Sequence, residues 1–275
     1  MIMQPLPDYH LHTSATEDGC NTLTEIAEAA AARGLREIAI TDHYILVDDK
    51  YMVTREVLER HKAEAREAGE RLGIKILIGA EVDYLPGYAP EIKSYLNSYE
   101  FDFIIGAAHF VDGLPIANEP TARKFLKDNG PRAAFRKSLE AAERAAESRL
   151  FDVIAHPDII RKFHDDPSAP LTFDEYAEAA ERLARVMRDA GTGFEVNCRG
   201  FSHAAGSQYP SGEFLRVLKK CGVGTVTIGS DAHQTQFVGA DLDRGFAALR
   251  AAGFTHLTLF EKRKPRRVPV EEFEY

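Results

Sequence analysis

The 275-residue chain is 44% hydrophobic and 28% charged, with 34 Lys and Arg against 43 Asp and Glu for a formal charge of −9. That balance fits a globular protein and counts against a nucleic-acid partner, whose phosphate backbone needs a basic face; a small anion held at a local cation site stays open. No apolar stretch is long enough to span a bilayer, the N-terminus lacks the basic flank and apolar run of a signal peptide, and three scattered cysteines form no CxxC, so a cytoplasmic protein without disulfides is expected.

In chain order, a strand is predicted at 7–12, then a helix over 22–34 with small and apolar residues at helical spacing and Gly34 as its stop. A buried strand at 37–41, a charged helix at 55–72 closed by Gly73, and a strand at 75–82 follow. Residues 90–98 read as a helix, 101–108 as a strand, 131–149 as a helix and 151–155 as a strand. The next helix, 172–190, has Thr172 as its cap and Gly191 as its stop. The remainder reads as strand 193–197, helix 211–221, strand 224–230, helix 240–252 and strand 255–260.

Short strands that are apolar on both faces and alternate with helices pair in parallel beneath a helical cover. Seven or so such units predict an α/β barrel of the triosephosphate-isomerase type, as one domain over 1–275. An open doubly wound sheet is the alternative, weakened by the absence of a dinucleotide fingerprint or P-loop. The basic stretch 261–267 is expected to be a solvated tail.

The histidines fall in a pattern on this map. His10 and His12 sit at i and i+2 of the first strand, so both face one side. His43 ends the second strand, Glu81 lies near the end of the third, and His109 and His156 end the fourth and fifth. Asp231 and His233 follow the seventh, again at i and i+2. In a barrel these ends converge on one mouth, where active sites of this architecture lie. Imidazole with carboxylate suits zinc, manganese or iron. The number of ligands exceeds what one ion needs, so two or three ions sharing a bridging carboxylate are expected; without metal, such a buried group would be costly.

The motifs HLH, TDH, GAAHF, AHPD and GSDAH, in this order around the Glu81 strand, resemble the polymerase and histidinol phosphatase (PHP) superfamily. GAEVDYLPGY, FDFIIGAAHFVDGLPI, EVN, YPS and FEKRKP are similar to its histidinol-phosphatase branch in particular, over nearly the whole chain. The resemblance implies a distorted barrel with a trinuclear site of zinc, iron or manganese. One ion would take His10, His12, Glu81 and Asp231. A second would share Glu81 and take His109 and His156. The third would take His43, His233 and Asp18, six residues beyond His12, with Glu17 as a substitute. The implied reaction is hydrolysis of L-histidinol phosphate to L-histidinol and phosphate in histidine biosynthesis, by in-line attack of a metal-bridging hydroxide on phosphorus.

Cations beyond the metals should hold the phosphate, and Arg161 just past AHPD is the first candidate. The branch's basic pair after the EVN-like strand is replaced here: the chain reads NCRGFSH, which leaves Arg199 three residues early and puts Ser202 and His203 at the expected place. This departure keeps open another small phosphate mono- or diester as substrate. A polymerase-type exonuclease, an amidohydrolase and a non-catalytic metal module are weaker alternatives. The acidic charge opposes the first, no strand ends in a lysine for the second, and the ligand set looks complete against the third.

Several other polar residues are open to plain structural readings. Asp42 either orients His43 or binds backbone. Glu195 and Asn197 either line the pocket or hydrogen-bond internally. His61 is expected to be solvated on its charged helix, His164 to lie in the polar KFHDDP loop, and His256 has no partner motif. Cys20 and Cys198 are expected to be small buried hydrophobes.

Overall fold

Seven parallel strands stand side by side: β1 (Asp8–Leu11), β2 (Glu37–Ile40), β3 (Lys75–Asp83), β4 (Phe103–Ala107), β5 (Val153–Ile154), β6 (Gly193–Asn197) and β7 (Val226–Gly229). In this computed structural model, which describes residues 3–164 and 171–274, they pair in sequence order, β1 to β7. The ring is nearly closed. Between β7 and β1 the pairing shrinks to a bridge of Leu11 with Ala232, where the His12 N–H donates to the Ala232 carbonyl at 3.0 Å. Every residue of β1, β4, β6 and β7 is buried, so these strands show no alternation of buried and exposed positions; in β1 and β6 the buried set includes Asp8, His10, Glu195 and Asn197.

Among the described residues, eight α-helices accompany the strands: α1 (Leu23–Ala32), α2 (Arg55–Leu72), α3 (Ala89–Asn97), α4 (Glu119–Asn129), α5 (Pro131–Glu147), α6 (Ala177–Ala190), α7 (Gly212–Cys221) and α8 (Leu242–Ala251). Their starts are set by side-chain caps. Thr22 and Glu25 form a reciprocal capping box on α1, and Ser211 accepts the Phe214 N–H on α7. These caps are why the helices begin one residue later than their sequence signals. Thr172 caps a short 3₁₀ turn, Phe173–Glu175, and α6 begins only after it. α4 was not expected from the sequence. Its signals were present, with Asn118 as cap and Pro120 in the first turn, but its mostly polar EPTARKFLKDN stretch shows little apolar face.

Two features differ from expectation at the far end of the chain. The strand near 255–260 does not join the barrel: β8 (His256–Glu261) pairs antiparallel with β9 (Lys264–Pro269). The basic stretch is therefore a hairpin strand, although Lys264, Pro265, Arg266 and Arg267 remain exposed, as a solvated segment requires. The hairpin is tied to the barrel where the Phe260 N–H donates to Tyr9 Oη at 3.0 Å and the Val226 N–H to Thr258 Oγ1 at 3.2 Å. Among the described residues, no helix is long and apolar enough to cross a membrane.

Candidate metal centre

β2 breaks after Ile40 and resumes as His43–Tyr44 in the same register, so His43 lies directly across from Glu81 of β3. His10 and His12 come from the end of β1, His109 and His156 stand two residues past β4 and β5, and Asp231 and His233 follow β7. Parallel pairing places all eight at one end of the barrel, as the sequence pattern anticipates. His156 and Asp231 adopt positive φ of 22° and 53°. Such backbone is rare for non-glycine residues and persists only where the surroundings enforce it.

Glu81 is the hub. Its Oε1 lies 2.9 Å from His156 Nε2 and 3.8 Å from His109 Nε2. Its Oε2 lies 2.9 Å from His43 Nδ1, 3.4 Å from His10 Nε2 and 3.7 Å from His12 Nε2. Asp231 Oδ1 is 3.4 Å from His12 Nε2 and 3.7 Å from both His10 Nε2 and His233 Nδ1. Asp18 Oδ2 sits between His43 Nε2 at 3.1 Å and His233 Nε2 at 3.0 Å. Ligand atoms converge within 4.8 Å of one another in four triads: His10–His12–Asp231, His10–Glu81–His156, His43–Glu81–His109 and His12–His43–His233. The first contains three of the four residues expected at one ion, and Asp18 joins His43 and His233 as expected at another.

The donor chemistry fits metal. His10 Nε2, both nitrogens of His12 and His43 Nδ1 are buried without a hydrogen-bond partner. Buried polar atoms are otherwise paired almost without exception, so these need a partner of another kind. Burial and the neighbours His233 and His43 push His12 down to about 3, leaving it the free base that a cation requires. Burial opposes charge on His10 and His43 as well. There it is outweighed, on His10 by Glu195, Asp231 and Glu81, and on His43 by Glu81 and Asp18, so both are held well above the ordinary imidazole value. Glu81 and Asp231 are held well below the carboxylate range despite burial, chiefly by His10. The carboxylates thus stay ionised and demand positive charge.

A second layer of residues fixes these side chains. Glu195 Oε1 lies 2.6 Å from His10 Nδ1, and Asn197 Nδ2 donates to Glu195 and to Asp231 Oδ2, both at 3.1 Å. The internal hydrogen-bonding reading of Glu195 and Asn197 therefore holds. Asp83 accepts the His109 N–H at 2.8 Å and meets its Nδ1 at 3.0 Å. Nothing in the sequence separated Asp83 from any other strand-end carboxylate. Carboxylates behind ligand imidazoles set the ring's orientation and tautomer. Gly229 makes this layer possible: a Cβ there would lie 2.5 Å from His10 Cβ and 2.7 Å from Glu195 Oε1.

A cavity of about 590 Å³ opens above the cluster, in the range of small-molecule sites. The cation on its wall is Lys162, not Arg161. Arg161 was expected to meet the phosphate. Instead its guanidinium donates to Asp158 Oδ2, Gln208 O, Ala205 O and Ser207 Oγ at 2.6–3.4 Å, bracing the loop that carries His203. On the 3₁₀ turn Ile159–Phe163, adjacent side chains diverge, and the sequence does not reveal which of two neighbouring cations faces inward. Arg199 stacks on Phe237 at 4.2 Å, and His203 Nδ1 lies 3.2 Å from Tyr209 Oη. Neither lines the cavity. Burial, with Lys162 and Arg199 nearby, pushes His203 down to about 4, so it carries no charge at neutral pH.

The remaining polar residues are resolved by their contacts. Asp42 binds backbone rather than His43: it accepts the Thr13 N–H at 2.5 Å and the Thr13 hydroxyl at 2.8 Å, pinning the segment between His12 and Asp18. His61 is buried, not solvated, because α2 turns it inward to place Nδ1 3.4 Å from Asp42 Oδ2. Burial pushes His61 down to about 4 and Asp42 up to about 6. Cys198 is buried, whereas Cys20 is exposed on the loop before α1. His164 packs edge-on against Phe135 at 5.6 Å, and residues 165–167 of its loop lie outside the described residues. His256 stays on the surface strand β8, beside the Thr255 hydroxyl at 2.9 Å.

Fold and site together define the class: a parallel-barrel enzyme with a metal-binding histidine–carboxylate cluster at its mouth. The family model of the PHP domain matches residues 8–199, and the chain belongs to that family. It is 29% identical over 269 residues to a probable histidinol-phosphatase of Deinococcus radiodurans, covering 95% of this chain and 99% of that one. It is 30% identical over 243 residues to a probable phosphatase of Acetivibrio thermocellus, covering 86% of this chain and 83% of that one. Its fold matches the crystal structure of histidinol phosphate phosphatase from Lactococcus lactis, solved with zinc, L-histidinol and phosphate. That match has a TM-score of 0.85 at 22% identity, over 96% of this chain and 99% of that one.

Proposed function

We propose that this chain, acting as one PHP barrel unit over residues 1–275, is a cytoplasmic phosphatase that hydrolyses L-histidinol phosphate to L-histidinol and phosphate in histidine biosynthesis. The observation that carries the reading is the division of Glu81, whose two oxygens face two separate sets of imidazoles. This is the arrangement of a carboxylate shared between ions. Three divalent ions, zinc, manganese or iron, would be held by His10, His12 and Asp231 with Glu81; by His109 and His156 with Glu81; and by His43, His233 and Asp18. Such ions supply an activated water at neutral pH and neutralise phosphoryl charge.

The chain's own residues do the rest. Glu195, Asn197 and Asp83 hold the ligand side chains in orientation. Lys162, partly withdrawn from solvent on the cavity wall, binds a phosphoryl oxygen, and Arg161 keeps the adjoining loop in place. The apolar wall of Ile45, Phe110, Pro115 and Ile159 excludes water around the leaving group.

A second reading, hydrolysis of a different small phosphate ester, is favoured by one observation: the expected cationic pair is absent, and Arg161 is turned to structural use. Phosphate release by the zinc- or manganese-loaded protein, from L-histidinol phosphate and a panel of other mono- and diesters, decides between them. A strong preference for L-histidinol phosphate supports the first reading. Preference for another ester moves the function to the second.

A further inference from the structure

The cavity is electrically polarised beyond what phosphoryl chemistry uses. Four carboxylates line it: Asp18, Glu81 and Asp231 belong to the histidine cluster, and Asp48 does not. Asp48 is half-buried, and its Oδ1 accepts the Lys50 N–H at 3.2 Å as the cap of the turn Asp49–Tyr51. The nearby Lys50 ammonium is held by Glu17 at 2.8 Å instead. Asp48 Oδ2 thus has neither hydrogen-bond nor ion-pair partner among the described residues.

The barrel order places this charge. Asp48 follows β2, and Lys162 follows β5. β3 and β4 separate them on one side, and β6, β7 and β1 on the other, so the two charges stand across the mouth from each other. Between them lie the histidine cluster below and the apolar residues Ile45, Phe110 and Ile159 on the walls. Tyr51, also on the wall, adds an aromatic ring beside the carboxylate, a surface that attracts organic cations.

We infer that Asp48 selects the leaving group: it receives a cationic amine on the alcohol half of the substrate while the phosphoryl end lies at the cluster and Lys162. The inference rests on the phosphoesterase reading of the same site and adds the residue that would distinguish phosphate monoesters of amino alcohols from esters without the amine. A neutral leaving group leaves Asp48 without a counter-charge in a partly desolvated cavity, and an anionic one faces repulsion.

The test compares two ester pairs, each differing by one amino group: L-histidinol phosphate against its analogue lacking the amine, and aminoethyl phosphate against ethyl phosphate. The metal-loaded wild type is expected to prefer the amine-bearing member by about 10–100-fold in kcat/KM, the usual worth of a charge-assisted contact. In Asp48→Asn that ratio is expected to fall toward one, while Asp48→Glu retains part of it. Partial misfolding lowers both members alike and cancels in the ratio. A wild type without amine preference overturns the inference, as does a D48N ratio within twofold of wild type. If aminoethyl phosphate is preferred in an Asp48-dependent way but L-histidinol phosphate is ignored, the leaving-group role stands and the histidinol reading falls. If L-histidinol phosphate is hydrolysed equally well with and without its amine, the reverse holds.

Discussion

The two ends of the barrel treat buried polar groups in opposite ways. At the closed end Asp152, Asp102 and Tyr9 are all matched. Arg263 donates to Asp152 Oδ1 at 3.1 Å and to the Leu150 carbonyl at 2.8 Å. Asp152 also accepts the Ile104 N–H at 2.8 Å, and Asp102 accepts the N–H groups of Ile78 and Lys262. The Tyr9 hydroxyl bonds Glu37 and the Phe260 N–H. At the open end, imidazole nitrogens are left without partners, and His156 and Asp231 hold positive φ. One end is built to close the fold. The other leaves imidazole nitrogens unpartnered beside buried carboxylates, the chemistry on which the proposed metal site rests.

Substitutions at the two ends should therefore separate activity from stability. The largest effect is expected for Glu81→Gln, which removes the carboxylate proposed to be shared between ions. kcat/KM for the preferred ester should fall by about 10³-fold or more, the worth of several kcal/mol of transition-state stabilisation. The thermal midpoint of the EDTA-treated protein should stay within a few degrees of wild type. Unfolding of the variant instead would show that this carboxylate holds the fold, and the contrast would break. Glu195→Gln, one layer further out, should weaken metal binding by about 10–100-fold in a chelator competition, with activity restored by excess metal.

Arg263→Ala tests the closed end. It leaves Asp152 buried without its counter-charge and should cost about 1–3 kcal/mol in urea unfolding, discounted because the arginine is partly exposed. Activity per folded, metal-loaded molecule should be unchanged.

The smallest effect concerns the pair of His61 and Asp42, behind the mouth. His61 is depressed to about 4, so its contribution to stability is lost as pH falls from about 6.5 to 4. Asp42 is raised to about 6, so its contribution is lost as pH rises over nearly the same window. In the wild type the slopes oppose. In His61→Gln only that of Asp42 remains, and the unfolding free energy from urea titration should fall as pH rises from 4 to 6, by roughly 1–3 kcal/mol at most. A flat profile in the variant would mean that Asp42 does not titrate there.

The barrel and the convergence of the histidine–carboxylate cluster were legible because both rest on local signals. Apolar runs mark the parallel strands, caps and glycines mark the helix ends, and a histidine at a strand end has a fixed direction once the strand is known. This holds for His10, His12, His43, Glu81, His109, His156, Asp231 and His233, and for Asp18 through family likeness. α4 was missed because its apolar face is narrow, although it carries Asn118 and Thr121 to the cavity wall.

What only the tertiary structure decided were choices between chemically equal neighbours. Of Arg161 and Lys162, packing against the loop at 205–208 takes the first, and the cavity receives the second. His61 reads as one more polar residue on a charged helix until α2 docks and sets it against Asp42. Asp48 and Asp83 are ordinary loop and strand-end carboxylates until the barrel closes, leaving one facing the cavity and the other behind His109. Hydrophobic period and chain punctuation are properties of a segment and survive in one dimension. Which hydrogen bond a long polar side chain makes depends on partners tens of residues away, and that is set only when the strands have come together.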